Sequence, residues 1–448
     1  MGATSITEEN AEDKKEQLID DLLQESKDDL DAVKLALLKA KVQKQENKML
    51  VKKERSLNFG VVGTGQAGSR LGSIFYSLGY ETVVINTAIQ DLKHISVPES
   101  NKLLLEQEIG GCAKELSLGQ AAAETHKDEI IRLIDSKLAD SQINILCSSL
   151  GGGSGAGSCE TLIDVLCETG KPLVVICVLP MQSEDTLTKS NSLETLARLA
   201  KLTQTKKISN LIVIDNSKLE SIYHDVSQID FYDIANKAIV EPIDTFNTLS
   251  AMTSQIKALD SMEWSKLLID GEGLSIYGEL TVDNYKEDTA IAEAVISNLS
   301  NNLLAEGFDL KESKYVGFVV VANKDVWAKI PSSSINYASE MVSDLCGNPK
   351  GIFKASYVIN TPGNFVKVYS FFSGLSLPAM RVEQLKKEVQ ENMKNVKAKD
   401  EQRNLNLQLD TGTNETISAA QKIKDRIAQK SSAFGKLAGG NRVTDRRK

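Results

Sequence analysis

Residues 143–166 read INILCSSLGGGSGAGSCETLIDVL. The first eight residues form a largely apolar, β-rich run of the kind that parallel strands buried on both faces require. The last eight carry the apolar spacing of a helix. Between them stand Gly151, Gly152, Gly153, Ser154, Gly155, Ala156, Gly157 and Ser158, five glycines in seven residues with hydroxyls interspersed. A flexible linker does not sit between a buried strand and a helix. Glycines at such a junction let the backbone turn tightly and present a series of N–H groups to an anion, at a helix end whose dipole favours negative charge. A Walker A loop needs Lys-Ser or Lys-Thr after its last glycine, and Ser158-Cys159 does not supply it.

A second glycine loop lies upstream. Gly63-Thr64-Gly65-Gln66-Ala67-Gly68 follows the apolar run FGVV (59–62) and precedes a helical pattern. Alone, this is also a dinucleotide-binding fingerprint, which expects an acidic residue at the end of the next strand to hold the ribose hydroxyls. Here that strand, ETVVIN (81–86), runs into Asn86-Thr87. A nicotinamide-dependent oxidoreductase therefore stands only as the rival reading, and a nucleotide-binding scaffold without turnover as another.

Short apolar runs (LNFGVVG, ETVVIN, INILCSSL, KPLVVICVLP, NLIVID) alternate with helical stretches through the first half, the signature of a parallel sheet covered on both faces. Residues 230–250 read as one long helix disturbed at Pro242. GLSIYGELTV, KYVGFVVVAN, IFKASYVIN and FVKVYSFFS then suggest a smaller mixed sheet, with a helix near 288–306. On the long helix Tyr232 and Asn236 are four apart and share a face. An aromatic face can stack on any base, and an amide both donates and accepts. Without further context, Tyr232 is equally readable as core and Asn236 as solvated surface. Ala258-Leu259-Asp260-Ser261-Met262-Glu263-Trp264 follows that helix, and its Asp-x-x-Glu pattern is, taken bare, a solvated turn.

In combination these motifs resemble the tubulin/FtsZ superfamily, and its TubZ branch in particular, over residues 57–275. GGGSGAGS is similar to the family's GGGTGTG signature. Gly63 to Arg70 resembles its first nucleotide loop, and INTAIQDL (85–92), with Asn86, the second. Gly110-Gly111-Cys112-Ala113 resembles the third, γ-phosphate-sensing loop, departing from the usual Gly-Ala-Gly. VLPMQSED (178–185) resembles the fifth and VIDNSKL (213–219) the sixth. The resemblance implies that Asn216 hydrogen-bonds guanine and that Tyr232 and Asn236 stack on the purine and read its edge. It implies that Asp260 and Glu263 form the acidic pair of a loop that reaches the next subunit's nucleotide; the family usually has Asn two residues before the first acid, where this chain has Ala258. A carboxylate is suited to polarising water beside a γ-phosphate.

The resemblance implies an α/β fold: a Rossmann-like GTPase domain with a parallel sheet, a long central helix and a smaller mixed-sheet domain. The divisions expected are an N-terminal helical extension (1–56), a GTP-binding domain (57–229), the central helix (230–250), an activation domain (251–378), and a C-terminal helix with a basic tail (379–448). It also implies GTP/GDP and Mg²⁺ as cofactors, hydrolysis activated by polymerisation, and head-to-tail self-association. A DNA-binding adaptor held by the C-terminal tail would link the filament to plasmid or phage DNA in a bacterial cytoplasm, with phage-spindle or cell-division roles as alternatives. No metal ligand is assigned.

Composition narrows the classes. The 448 residues are 41% hydrophobic and 25% charged, ordinary for a chain with a sizeable core. No apolar run reaches the roughly 18–20 residues of a membrane span, and MGATSITEENAEDKK has neither the apolar stretch of a signal peptide nor a myristoylation pattern. The six cysteines show no CxxC and read as buried cytosolic thiols; three histidines give little material for a metal site. Net charge is −9, yet residues 421–448 carry nine Lys/Arg against two Asp/Glu. The remaining body is strongly acidic and repels nucleic acid, so contact with DNA runs through the tail or an adaptor. Residues 8–55 read as an amphipathic helix that either docks on its own body or pairs with a partner. After Pro378, residues 381–402 read as a long exposed helix; the rest reads as disordered, apart from a short helix at 417–430.

Overall fold

The computed structural model describes residues 54–107, 110–300, 307–359 and 365–407. Nearly all of the N-terminal segment read as a helix, and the basic tail with its short helix, lie outside these residues.

The chain alternates strand and helix from its first described turn. β1 (Phe59–Thr64) leads into α1 (Gly65–Ser77), β2 (Glu81–Asn86) into α2 (Ile89–Lys93), and β3 (Lys102–Leu104) into α3 (Leu116–Thr125) and α4 (Lys127–Leu138). β4 (Ile143–Ser149) leads into α5 (Gly153–Glu168), β5 (Leu173–Leu179) into α6 (Thr186–Gln204), and β6 (Asn210–Asp215) into α7 (Asn216–Ile222). The long helix α8 (Gln228–Leu249) precedes α9 (Ser261–Ile269), β7 (Gly273–Val282) and α10 (Ala290–Ser300). Then follow β8 (Tyr315–Ala322), α11 (Lys324–Trp327), α12 (Ser332–Leu345), β9 (Gly351–Val358), β10 (Val366–Leu375) and α13 (Ala379–Leu407).

One ten-stranded sheet results, in the order β3-β2-β1-β4-β5-β6-β7-β10-β8-β9. The first six strands are parallel and follow the doubly wound order 3-2-1-4-5-6, which reverses between β1 and β4. In such sheets ligands bind beyond the strand carboxyl ends at that reversal. β7 joins through only two register pairs, Asn210 with Gly273 and Leu211 with Leu274, and β10 is antiparallel to both β7 and β8. The second set of strands is therefore mixed, as its sequence suggests, but it extends the first sheet. The described residues up to 386 cluster as one compact unit, and those from 387 to 407 belong to another.

Two local readings change. Gly65, Gln66, Ala67 and Gly68 belong to the first turn of α1, and Gly153 to Ser158 to the first two turns of α5. The glycine "loops" are largely helical because the missing Cβ atoms let elements approach. A Cβ on Gly157 would run into the backbone of Leu116 and Gly119 in α3. The long helix also runs unbroken through Pro242, whose missing N–H leaves one turn without its internal bond.

Behind the site the core is aromatic. Phe246 of α8 stacks on Trp264 of α9 at 5.1 Å, and Phe371 of β10 meets Trp264 edge-on at 5.3 Å and stacks with Tyr277 at 5.8 Å. Each of these rings is buried. Burial of such a side chain contributes about 1.5–3 kcal/mol, so α9 is pinned at its centre. All six cysteines are free and five are buried. Among the described residues no helix is long and apolar enough to cross a membrane.

Candidate functional site

A cavity of about 340 Å³ opens at the carboxyl ends of β1 and β4, where the strand order reverses. Its volume lies within the range of small-molecule sites. It is walled by the first turns of two helices that follow those strands. α1 begins at Gly65 after Thr64, and α5 at Gly153 after Gly152; neither has a side-chain cap. The first N–H groups of a helix have no partner within it. Two helix dipoles and their open amides thus converge on one space, an arrangement suited to a polyphosphate. Gly65 has φ +67°, and a Cβ there would lie 2.8 Å from the backbone of Gly155, so the two first turns touch.

The structure brings Gly65, Gln66, Ala67, Gly111, Cys112, Ala113, Gly151, Gly152, Gly153, Ser154, Gly155, Asn216 and Tyr232 to the wall of this cavity. Gly63, Gly68, Asn86, Ala156, Gly157 and Asn236 do not line it. Gly68 lies against the backbone of Cys147, and Gly63 against that of Gly68. Asn86 is buried; its Oδ1 accepts from Ala88 N–H at 3.2 Å and its Nδ2 donates to Asp91 at 3.2 Å, which shapes the second loop from behind. Asn236 sits one turn beyond Tyr232 on α8, partly exposed.

Asp260 and Glu263 lie elsewhere, at the N-terminus of α9. Asp260 caps the helix, its Oδ1 accepting from Glu263 N–H at 2.8 Å, while Glu263 Oε2 accepts from Asp260 N–H at 3.1 Å. Both acids are thereby held by a capping box, and Glu263 Oε1 takes no part in it. Met262, within this turn, is 67% exposed, and Ile256, four residues before Asp260, is exposed as well.

Sequence reasoning passed over several residues that shape the cavity. Lys114 lines it and pairs with Asp185, the cap of α6, and this ion pair holds the Asp185 carboxyl down at about 2. Asn191 donates to the carbonyls of Lys114 (2.7 Å) and Gly151 (3.2 Å), tying the third loop to the glycine turn. Thr87 bonds both Ser154 Oγ and, at 3.3 Å, Cys112 Sγ. The Arg70 guanidinium lies 4.3 Å from the ring centre of Tyr232, a cation–π contact between two lining residues. A cation directly after the third loop was a visible signal for Lys114; an Asn inside a helical pattern gave none for Asn191.

Beside Asn216, Asp215 ends β6 and caps α7 through Ser217 N–H at 3.1 Å. Burial pushes its carboxyl up, and Arg381 opposite pulls it back. Asp91 and Glu184 are the carboxylates of the lining. Among the described residues no group of three His, Cys, Asp or Glu is placed to hold a metal ion. Mg²⁺ characteristically binds through one or two carboxylates, substrate phosphates and water, and this donor set fits that mode alone.

Comparison with known proteins agrees with the geometry. Residues 58–224 match the Tubulin/FtsZ family, GTPase domain. The chain is 26% identical over 269 residues to the tubulin-like protein CetZ of Pyrococcus abyssi, covering 58% of this chain and 71% of that one. It is 21% identical over 352 residues to the tubulin-like protein TubZ of Bacillus cereus, covering 72% and 80%. The fold superposes on a GTPγS-form protofilament of TubZ from Bacillus thuringiensis serovar israelensis with a TM-score of 0.69 at 18% identity, covering 80% of this chain and 96% of that one. Residues 58–224 are a GTPase domain of the tubulin/FtsZ family, set in the fold that TubZ also has.

Proposed function

We propose that the cavity binds GTP, that copies of the chain assemble head to tail, and that hydrolysis takes place at the junction between them. The observation carrying this reading is the pair of uncapped helix N-termini meeting at the strand-order reversal, with Asn216 and Tyr232 on the same wall. The amides of α1 and α5 take the phosphates; Tyr232 stacks on the base, and Asn216, assisted by Asn236, reads the guanine edge. Mg²⁺, held by the phosphates with Asp91 or Glu184, would neutralise charge on the β- and γ-oxygens.

The cavity's own wall has no carboxylate committed to water activation: Asp91 bonds Asn86, and Glu184 Oε1 accepts from Met181 N–H at 3.1 Å. Asp260 and Glu263 are the proposed catalytic groups, supplied by the next copy. Exposed Ile256 and Met262 stand within four residues of Asp260 in the chain, and exposed Ile89 and Leu187 stand next to the lining residues Ala88 and Thr188. Pairing these two regions repeats one heterologous contact into an open filament. At the junction a carboxylate orients water for in-line attack on the γ-phosphorus and receives its proton, and the helix amides stabilise the charge left on GDP.

The finer role rests on the TubZ resemblance. The filament moves or positions plasmid or phage DNA, with the basic tail (421–448) holding a DNA-bound adaptor. Titration calorimetry with GTP and ATP tests the base of the proposal. GTP should bind at least about tenfold more tightly, the usual effect of a matched polar contact; equal affinities would remove guanine recognition from the account.

A further inference from the structure

The wall that carries Asn216 is held from a distant part of the chain. Arg381, in the first turn of α13, is 3% exposed and faces Asp215, whose side chain is 5% exposed, with Nε 2.8 Å from Oδ2. Its Nη2 donates to Ser217 Oγ at 3.1 Å and to the Pro180 carbonyl at 3.3 Å, and Ser217 Oγ donates to the same carbonyl at 3.3 Å. Asp215 and Ser217 are the two neighbours of Asn216, and Pro180 lines the cavity beside it. One planar cation thus spans both sides of a single pocket residue and the adjoining loop. The start of α13 is itself fixed: Ala379 N–H donates to Gly307 O at 3.0 Å, and Leu385 is fully buried.

We propose that Arg381 is a positioning residue for nucleotide specificity, holding Asn216 at the place where the base edge is read. The proposal rests on the reading that the cavity takes GTP with Asn216 at the base. Ion pairing alone does not explain the arrangement, because a lysine would satisfy Asp215. Only a fork of several fixed donors reaches the carboxylate, the hydroxyl and the carbonyl together. Asn216 begins a helix of seven residues, so a shift of its two neighbours moves its amide directly. The first turn of the C-terminal helix is in this sense part of the base-binding wall.

The test uses the full chain and measures GTP and ATP affinities by calorimetry beside thermal melting. A wild-type protein that binds no GTP, or binds both equally, would sink the reading of the cavity itself. Given a wild-type preference, Arg381→Lys keeps the charge opposite Asp215 but cannot span Ser217 and Pro180. GTP affinity should fall about tenfold with ATP affinity little changed. The double change Asp215→Asn/Arg381→Met removes both buried charges together, an exchange that is often neutral for stability, and should narrow the GTP-to-ATP ratio at least as far. Loss of folded protein reduces the apparent binding of both nucleotides alike, so the ratio decides even for a variant that melts early. Either variant with the wild-type ratio would overturn the proposal and leave Arg381 a scaffold residue.

Discussion

Helices α5 and α9 start with the same chemical problem, a first turn of N–H groups with no carbonyl above them, and finish it differently. α5 begins on Gly152 and Gly153, and no side chain closes its amides. α9 begins on Asp260, and Asp260 and Glu263 close each other's backbone N–H groups in a reciprocal box. The first end leaves its amides open to a ligand. The second is complete in itself and presents one spare carboxylate oxygen in the same turn as the exposed Met262. An open donor end and a self-sufficient acidic end, on one chain, are the two halves that the proposed head-to-tail assembly would bring together. The difference also separates ligand binding from stability, because changing α5 should alter affinity and changing α9 should alter turnover or folding.

The largest effect is expected at Glu263. Glu263→Gln retains an oxygen for Asp260 N–H, so the box and the melting temperature should persist. Phosphate release should fall about 10²–10⁴-fold, the usual range for a lost acid–base group, while GTP binding holds. Wild-type release by this variant would leave Asp260 as the remaining carboxylate.

At the open end, Gly65→Ala forces a side chain into a φ of +67° against the Gly155 backbone. Calorimetry should show GTP affinity reduced about 100-fold, as several amide contacts of about 1–1.5 kcal/mol each are displaced. Unchanged affinity would mean that the first turns of α1 and α5 do not hold the phosphates.

Asn216→Ala should cost about tenfold in GTP affinity and Asn236→Ala less, since Asn216 lines the cavity and Asn236 does not. Competition binding with ATP checks this, and the reverse order would make Asn236 the chief reader of the base. The smallest effect outside turnover concerns the N-cap of the closed end. Asp260→Ala removes an N-cap and should lower stability by about 0.5–2 kcal/mol in denaturant melts, with GTP affinity untouched.

Much of this was legible in the sequence because it is local. Continuous apolar strands, glycines at strand–helix junctions and an aromatic four residues from an amide are each confined to a few positions. The Asp260-x-x-Glu263 spacing before an apolar run was equally a capping-box signature, so one pattern carried both a structural and a catalytic meaning. What was hidden is non-local. Gly157 reads as a phosphate glycine, but it faces Leu116 and Gly119 across a helix contact that only the fold creates. Arg381 lies 164 residues from Ser217, and nothing in its own helical surroundings distinguishes it from the exposed cations that follow it. The single sheet depends on two register pairs between β6 and β7, too short a contact to leave a pattern.

The central claim is that the site is finished only by a second copy. The most direct measurement is the GTP hydrolysis rate per chain as a function of protein concentration, read beside sedimentation of polymer. The account predicts almost no turnover below a threshold concentration, and a steep rise in rate per chain that coincides with the appearance of pelleted filament. A rate per chain that stays constant across that range, with hydrolysis in fully dispersed protein, would contradict it.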